Sequence, residues 1–575
     1  MVRALVEDRS LAGEQGAYRL TRGFADARVP ATVQTVLAAR IDRLSVGDKQ
    51  VLETAAVIGR TFSEAVLEAV IGDDVGASLR LLCAAEFLQE RSAPAAEYRF
   101  SHPLTQEVAR GSLLSEHRAS IHAAVATALA QDRQRHDERA ALIASHFEEA
   151  GDHLQAAHWN ARAATGALRT SMEESHKHWL ATLARLEQVA DTDETVTLGV
   201  RARVHLLRLG SRRGIEPAEA EVLFREGHDL AKRLPDPGPL SVITKLRGSV
   251  QFWHGQLRAG RTSFSDACSL LAHSTDVEAP VGAWLALAWA CLYMGTVGQG
   301  VALVEEAIAV CHGELGRGMQ SLGYSGLLRN ILTRGQLLAL AGRLDAGRAD
   351  VGEALALARQ HHQAELEGWG LPILAHLAYL AGGDETGLAE AEKARRISLE
   401  TGNRFTLILA REAMGIALLA DGRHDEAVTS LTEALDEARM HRVGLSDEAS
   451  ILAHLAEAHL AAENSTAARL VADEAVNVAR DQEALVLETL ARVIRGRVFR
   501  ATDDDEAAGI AELAAATALV SETGAVVYEP FIREELGRLH NDDHDLQEAL
   551  RLYKQIGATG HARRLETELA AGSAQ

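Results

Sequence analysis

The chain has 575 residues, about four times a ~150-residue domain, which argues against one compact core and for several domains or a repeat array. Hydrophobic residues make up 47% and charged residues 24%, excluding wholesale disorder, while 4% aromatics and 10 prolines favour helix formers throughout. The formal net charge of −22 argues against phosphate-backbone binding along the chain as a whole, so no nucleic-acid partner is expected.

The opening MVRALVEDRS carries charges where a signal peptide needs its apolar stretch. Four scattered cysteines without a CxxC pair suggest neither a disulfide framework nor a thiolate zinc site. A cytoplasmic protein is the plain expectation. Further on, Pro30 precedes an apolar-periodic helix (Val33, Val36, Leu37, Ile41, Leu44), and Asp48 to Ile58 reads as a second. Short helices are expected over Phe62–Ile71 and Gly76–Ala85. FLQER (Phe87–Arg91) and EYRFS (Glu97–Ser101), divided by SAPAA, read as a β-hairpin. Helices over Pro103–Leu114 and Glu116–Ala130 follow. Three helices with a two-stranded wing predict a winged-helix domain over 28–131.

From residue 132 to 575 a repeat organises the chain. Small residues anchor its units at Gly248, Ala288, Gly335, Ala375, Gly415, Ala456, Gly496 and Gly537, a period near 40 residues. Twelve residues after each anchor stands a second small residue (Gly260, Gly300, Gly347, Gly387, Ala427, Ala468, Ala508, Ala549). Seven further on comes a third (Ala267, Ala307, Ala354, Ala394, Ala434, Ala475, Ala515), the last unit departing with Ile556. Two antiparallel helices approach closely only where facing side chains are small, so these positions, Gly335, Gly347, Ala354, Gly415, Ala427 and Ala434 among them, are predicted packing contacts. Gly255, Gly295, Gly342, Gly382 and Gly422, seven residues after their anchors, are placed to end the first helix in the left-handed conformation. The pattern resembles the tetratricopeptide repeat in a lengthened form. Weaker copies over Ala144–Ala163 and around Leu207 bring the array to about ten units, and an extended right-handed superhelix with a concave groove is predicted. Ala279–Val304 is uncharged and long enough to suggest a membrane span, but it falls in register as one helix, a turn and the start of another, so no membrane is expected. Asp503–Asp505 reads as an exposed turn.

The phrases VPATVQTVLAARIDRLSVGDKQVLETAAVIGRTF and YRFSHPLTQEVARGSLLSEHRASIHAAVATAL resemble the segment after the nucleotide-binding domain in bacterial signal-transduction ATPases with numerous domains. In that family the ATPase is commonly fused to a class III adenylate or guanylate cyclase or to a LuxR-type DNA-binding domain, and a tetratricopeptide array follows the winged helix. The resemblance implies that residues 1–27 are a remnant of, or linker from, an upstream ATPase domain. It also implies that His102, in FSHPL, faces a nucleotide phosphate and senses its state. The plainer reading makes His102 the cap of the helix starting near Pro103.

The chain departs from the family pattern where catalysis would sit. It contains no Gly-Lys dipeptide and hence no GxxxxGK[ST] phosphate loop, no Walker-type acidic pair ahead of Arg40, and no helix-turn-helix after the array. GYSG (Gly323–Gly326) lacks the spacing of a nucleophile elbow, and His454 with His459, like His540 with His544, make no convincing zinc pair. The expectation is therefore an all-α, non-enzymatic sensor or scaffold without cofactor or metal. It would bind a protein or small effector in the repeat groove and serve an ATPase or cyclase domain in cis or in trans. The alternative is a truncated piece of a multidomain ATP-binding cyclase or transcriptional regulator.

Overall fold

The computed structural model describes residues 11–12, 19–20, 33–91, 96–168, 170–271, 279–382, 387–502 and 506–572. Most of 1–27, Pro30 and the Asp503–Asp505 turn lie outside them. Helices dominate, and they form two compact units: residues 1–168 with 177–190, and residues 169–176 with 191–575.

In the first unit, β1 (Leu11–Ala12) pairs antiparallel with β2 (Arg19–Leu20). Helices α1 (Val33–Ile41) and α2 (Val46–Ile58) follow, the second started by Ser45, whose hydroxyl accepts from the Asp48 N–H. The segment expected as one helix from Phe62 begins instead as a strand, β3 (Thr61–Ser63), before α3 (Glu64–Ile71) and α4 (Gly76–Ala84). The hairpin is present as β4 (Leu88–Arg91) and β5 (Glu97–Phe100). Strand β5 lies in the middle of a three-stranded antiparallel sheet in the order β3-β5-β4, with Phe62 opposite Tyr98. Phe62, Phe100, Leu52, Leu67, Leu79 and Leu82 close its core. Helices α5 (Pro103–Gly111), α6 (Ser115–Gln131), α7 (His136–Ala150) and α8 (His153–Ala167) complete the unit. Ile143, Phe147 and Ala156 share a core with Val57, Ile121 and Val125, so the first repeat-like pair packs with the N-terminal helices.

The second unit is a tetratricopeptide-like α-solenoid. Its antiparallel pairs run from Asp193–Arg213 with Pro217–Ala231 through to Glu529–His540 with Asp543–Ile556, and Thr559–Gly572 ends the series. The anchor positions all fall in first helices. Gly342 and Gly422 turn the chain at φ +76° and +75°, values a side chain with Cβ adopts rarely. Ala279–Val304 is a helix to Met294, a turn, and a second helix from Val297, and no helix among the described residues is long and apolar enough to cross a membrane.

Two features differ from the sequence pattern. In the pair Leu485–Thr502 with Glu506–Thr523 the buried small residues are Gly509 and Ala516, one position after Ala508 and Ala515, because Leu513 must reach Gly496. Gly387 stands before its helix, at the N-cap with φ +77°, where a Cβ would meet Ala375 Cα at 2.6 Å.

The array is also not an open coil. Gly214 abuts His441, Gly255 abuts Gln482 and Leu445, and Gly295 abuts Thr523, each contact joining a turn to the pair five further along, while Gly382 abuts His561 of the last helix. Arg258 and Glu483 form an ion pair at 2.5 Å across the same junction. Successive superhelical turns therefore pack on one another, and the concave groove becomes an axial cavity.

Candidate functional site

The first helix of each pair faces the axis of the array, and its inner positions line a cavity of about 150 Å³. Three rows supply much of the lining, at six and three residues before the small anchor and one after it. Arg329, Trp369, Leu409, Ser450 and Leu490 stand at the first position, Pro372 and Glu412 at the second, and Trp289, Gln336, His376 and Ile416 at the third. The middle of the cavity is aromatic and aliphatic. Trp253 and Phe405 pack with ring centroids 4.5 Å apart, and Trp253 and Trp289 at 5.3 Å, joining the first-helix faces of three pairs. Pro372, inside the helix Ala364–Ala381, has no N–H to offer the carbonyl four residues back.

One part of the lining is acidic, and its two carboxyl groups accept from hydroxyls. The Tyr293 hydroxyl donates to Asp447 Oδ1 at 2.7 Å, and the Ser446 hydroxyl donates to Oδ2 at 2.7 Å. The Ser450 hydroxyl donates to Glu412 Oε1 at 2.5 Å, and His454 Nδ1 lies 3.4 Å from the same oxygen. Burial, with the neighbouring Glu412 charge, pushes the Asp447 carboxyl up to about 7. His376 is pushed down to about 4 by burial and by His454, so it is neutral near pH 7.

Another part of the lining is cationic. A niche of about 40 Å³ opens from the cavity and shares Trp253, Trp289, Arg329, Trp369 and Phe405 with it. Arg208 (3% exposed), Arg212 (5%), Lys245 (5%) and Arg329 (7%) gather there. Arg212 Nε pairs with Glu365 Oε1 at 2.7 Å, and the Arg212 guanidinium lies 5.6 Å from the Tyr324 ring centre. Arg329 sits over Trp289 at 5.2 Å and over Trp369 at 5.1 Å, and its Nη1 donates to Thr333 Oγ1 at 3.4 Å. Burial, then Arg208 and Arg212, pushes the Lys245 ammonium down to about 7, and burial with Arg212 lowers Arg208 to about 10. Arg212 Nη1 and Arg329 Nε are buried without a hydrogen-bond partner.

The residues singled out from the sequence lie elsewhere. Gly335, Gly347, Ala354, Gly415, Ala427 and Ala434 sit between the two helices of their pairs and do not line the cavity. A Cβ on Gly335 would meet Val351 Cγ2 at 2.7 Å, and one on Gly415 would meet Leu431 Cδ2 at 2.8 Å; Ala354, Ala427 and Ala434 are buried. His102 is exposed and caps α5: its Nδ1 accepts from the Leu104 N–H at 3.1 Å, with Pro103 in the first helical turn. That bond fixes the neutral ring with its proton on Nε2. Ser325 of GYSG likewise caps the helix Gly326–Leu340. Among the described residues no group of three or more His, Cys, Asp or Glu could hold a metal.

The cavity residues were missed because the three rows are visible only once the anchor register is fixed. Lys245 then stands out as a lysine three residues before Gly248, in a row that also holds Leu285, Leu332 and Val493.

No family model and no curated protein matches the chain. Among solved structures it is similar to a signal transduction ATPase with numerous domains carrying a tetratricopeptide repeat sensor, from Pyrococcus horikoshii. That likeness has 12% identity over 92% of this chain and 68% of the other, with TM-score 0.40. It is also similar to a Rap protein complexed with competence and sporulation factor, at 12% identity over 72% of this chain and 99% of the other, TM-score 0.37. A third likeness is to NprR in complex with its cognate peptide NprX, at 12% identity over 64% of this chain and all of the other (100%), TM-score 0.43.

Proposed function

We propose that the chain is a non-catalytic sensor whose array takes an effector in the axial cavity. One observation carries this reading: the cavity is built by residues of consecutive first helices and the turns leading into them, from Trp253 to Tyr528, in a coil whose turns pack on one another. A ligand in it touches helices far apart in sequence, so it favours the closed winding over any opened one, and that differential affinity is what a sensor needs. The buried Arg329 supports the same reading, since a desolvated guanidinium whose Nε has no acceptor lowers stability unless a partner uses it.

The strand β3, helices α3 and α4 and the hairpin β4–β5 follow the order of a winged helix, which supports a role for the first unit in coupling to an ATPase or cyclase domain in cis or in trans. In that setting His102 is the proposed contact to nucleotide phosphate, through Nε2–H.

The test is a thermal-shift titration of the full chain with the small-molecule fraction of a cell extract, beside Leu409→Trp, which fills the cavity. A rise in Tm for the parent chain that Leu409→Trp lacks is the expected result. Equal responses from the two would sink the cavity reading.

A further inference from the structure

The cationic niche differs from the other buried charge clusters of the array. Glu534 is met by Arg538, Arg564 and Tyr553, and Glu535 by Arg497 and Arg500, so these carboxylates are matched by donors from their own surroundings. In the niche, Arg208, Arg212, Lys245 and Arg329 converge; Glu365 pairs with Arg212, and Arg208 Nη1 lies 3.2 Å from His205 Nδ1. Burial first, then the Arg208 and Arg212 charges, hold the Lys245 ammonium low there. Two guanidinium nitrogens, Arg212 Nη1 and Arg329 Nε, are buried with no acceptor, on side chains more than nine-tenths buried. Such donors are costly to leave unmet, and a guanidinium fork matches the two oxygens of a planar oxyanion.

We propose that the niche is an anion site that takes the carboxylate of a compact organic acid, whose apolar body fills the adjoining aromatic cavity. The size of that cavity sets the body: about 150 Å³ holds one benzene-sized ring, not an extended peptide. Trp289 and Trp369 flank the Arg329 guanidinium and line both compartments, so a ring attached to the carboxylate by a short link stacks in the cavity while its oxygens reach Arg329 and Arg212. Elsewhere in the lining Asp447 and Glu412 already accept from hydroxyls and offer nothing to a second anionic group, which favours a ligand with one carboxylate. This assignment rests on the cavity being the effector site and adds the chemistry of its ligand.

The experiment is calorimetric melting of the full chain with phenylacetate as the probe, phenylacetamide as its neutral counterpart and inorganic phosphate as an anion without an apolar body. Millimolar phenylacetate is expected to raise Tm saturably by about 2 °C, with no rise from the amide or from phosphate. Arg329→Met is expected to melt no lower than the parent chain, because an apolar side chain of similar reach replaces a buried charge, and to lose the phenylacetate response. Lys245→Met, which leaves Arg329 in place, is expected to weaken the response several-fold. Equal rises with phenylacetate and phenylacetamide that persist in Arg329→Met would overturn the anion site while leaving the cavity as a ligand site. A rise with phosphate alone would replace the organic acid with a simple anion, and no response to phenylacetate would overturn the proposal.

Discussion

Gly335 and Gly347 face each other across their helix pair so closely that a Cβ built on Gly347 would stand 2.5 Å from the Gly335 carbonyl oxygen. Backbone cannot move aside as a side-chain tip can. Gly347→Ala should therefore destabilise the array by about 1–3 kcal/mol in urea unfolding. Gly352, on the exposed face of the same helix with nothing within 4 Å of its Cβ, gives the opposite expectation. Gly352→Ala should stabilise by about 0.4–1 kcal/mol through helix propensity and a less flexible unfolded chain.

Ala427 is fully buried in the pair Arg404–Ala420 with His424–His441. Ala427→Leu should overpack it and cost about 1–3 kcal/mol. Its neighbour Glu426 is exposed and paired with Arg423 on the surface, so Glu426→Gln should stay within about ±0.5 kcal/mol. Equal shifts in melting temperature would contradict the packing register.

In the first unit, His122 and His146 share a bond between their Nδ1 atoms at 2.9 Å, where one ring donates and the other accepts. Burial, then His122, pushes His146 down to about 4, so the folded form holds it neutral. The unfolded chain takes up its proton near pH 6.5, and the stability this group contributes above that pH is lost as pH falls towards 4, up to about 3 kcal/mol. Hydrogen exchange of α6 and α7 should quicken over that window in the parent chain and change less in His146→Phe.

His102 offers a separation of structure from sensing. His102→Asn keeps a capping acceptor and should melt within about 0.5 kcal/mol of the parent chain, whereas His102→Ala should lose about 0.5–1 kcal/mol. The isolated chain, lacking a phosphate loop, should show no micromolar ATP binding by calorimetry. Against a separately supplied nucleotide-binding domain loaded with ADP, both variants should bind more weakly than the parent.

Much of the fold was legible because it is local: the small anchors, the turn glycines and the hairpin sit within one or two helices of their partners. What escaped depends on distant contacts. Thr61–Ser63 is too short to show a strand pattern, and it is a strand only because Glu97–Arg99 offers it an edge. The slip from Ala508 and Ala515 to Gly509 and Ala516 follows from where Leu513 packs. The closing of the coil depends on contacts such as Gly255 with Gln482, which no periodicity within a unit encodes. The cationic niche is harder still, since Arg212, Lys245 and Arg329 come from three first helices and read singly as ordinary surface charges.

The most direct measurement is hydrogen exchange of the full chain with and without the small molecules of a cell extract. Slower exchange in Gly326–Leu340, Ala364–Ala381 and Arg404–Ala420, the helices that carry Arg329, Trp369 and Glu412 into the cavity, is the predicted result. Exchange unchanged in those helices, or slowed only in helices that do not line the cavity, would contradict an effector site on the axis of the array.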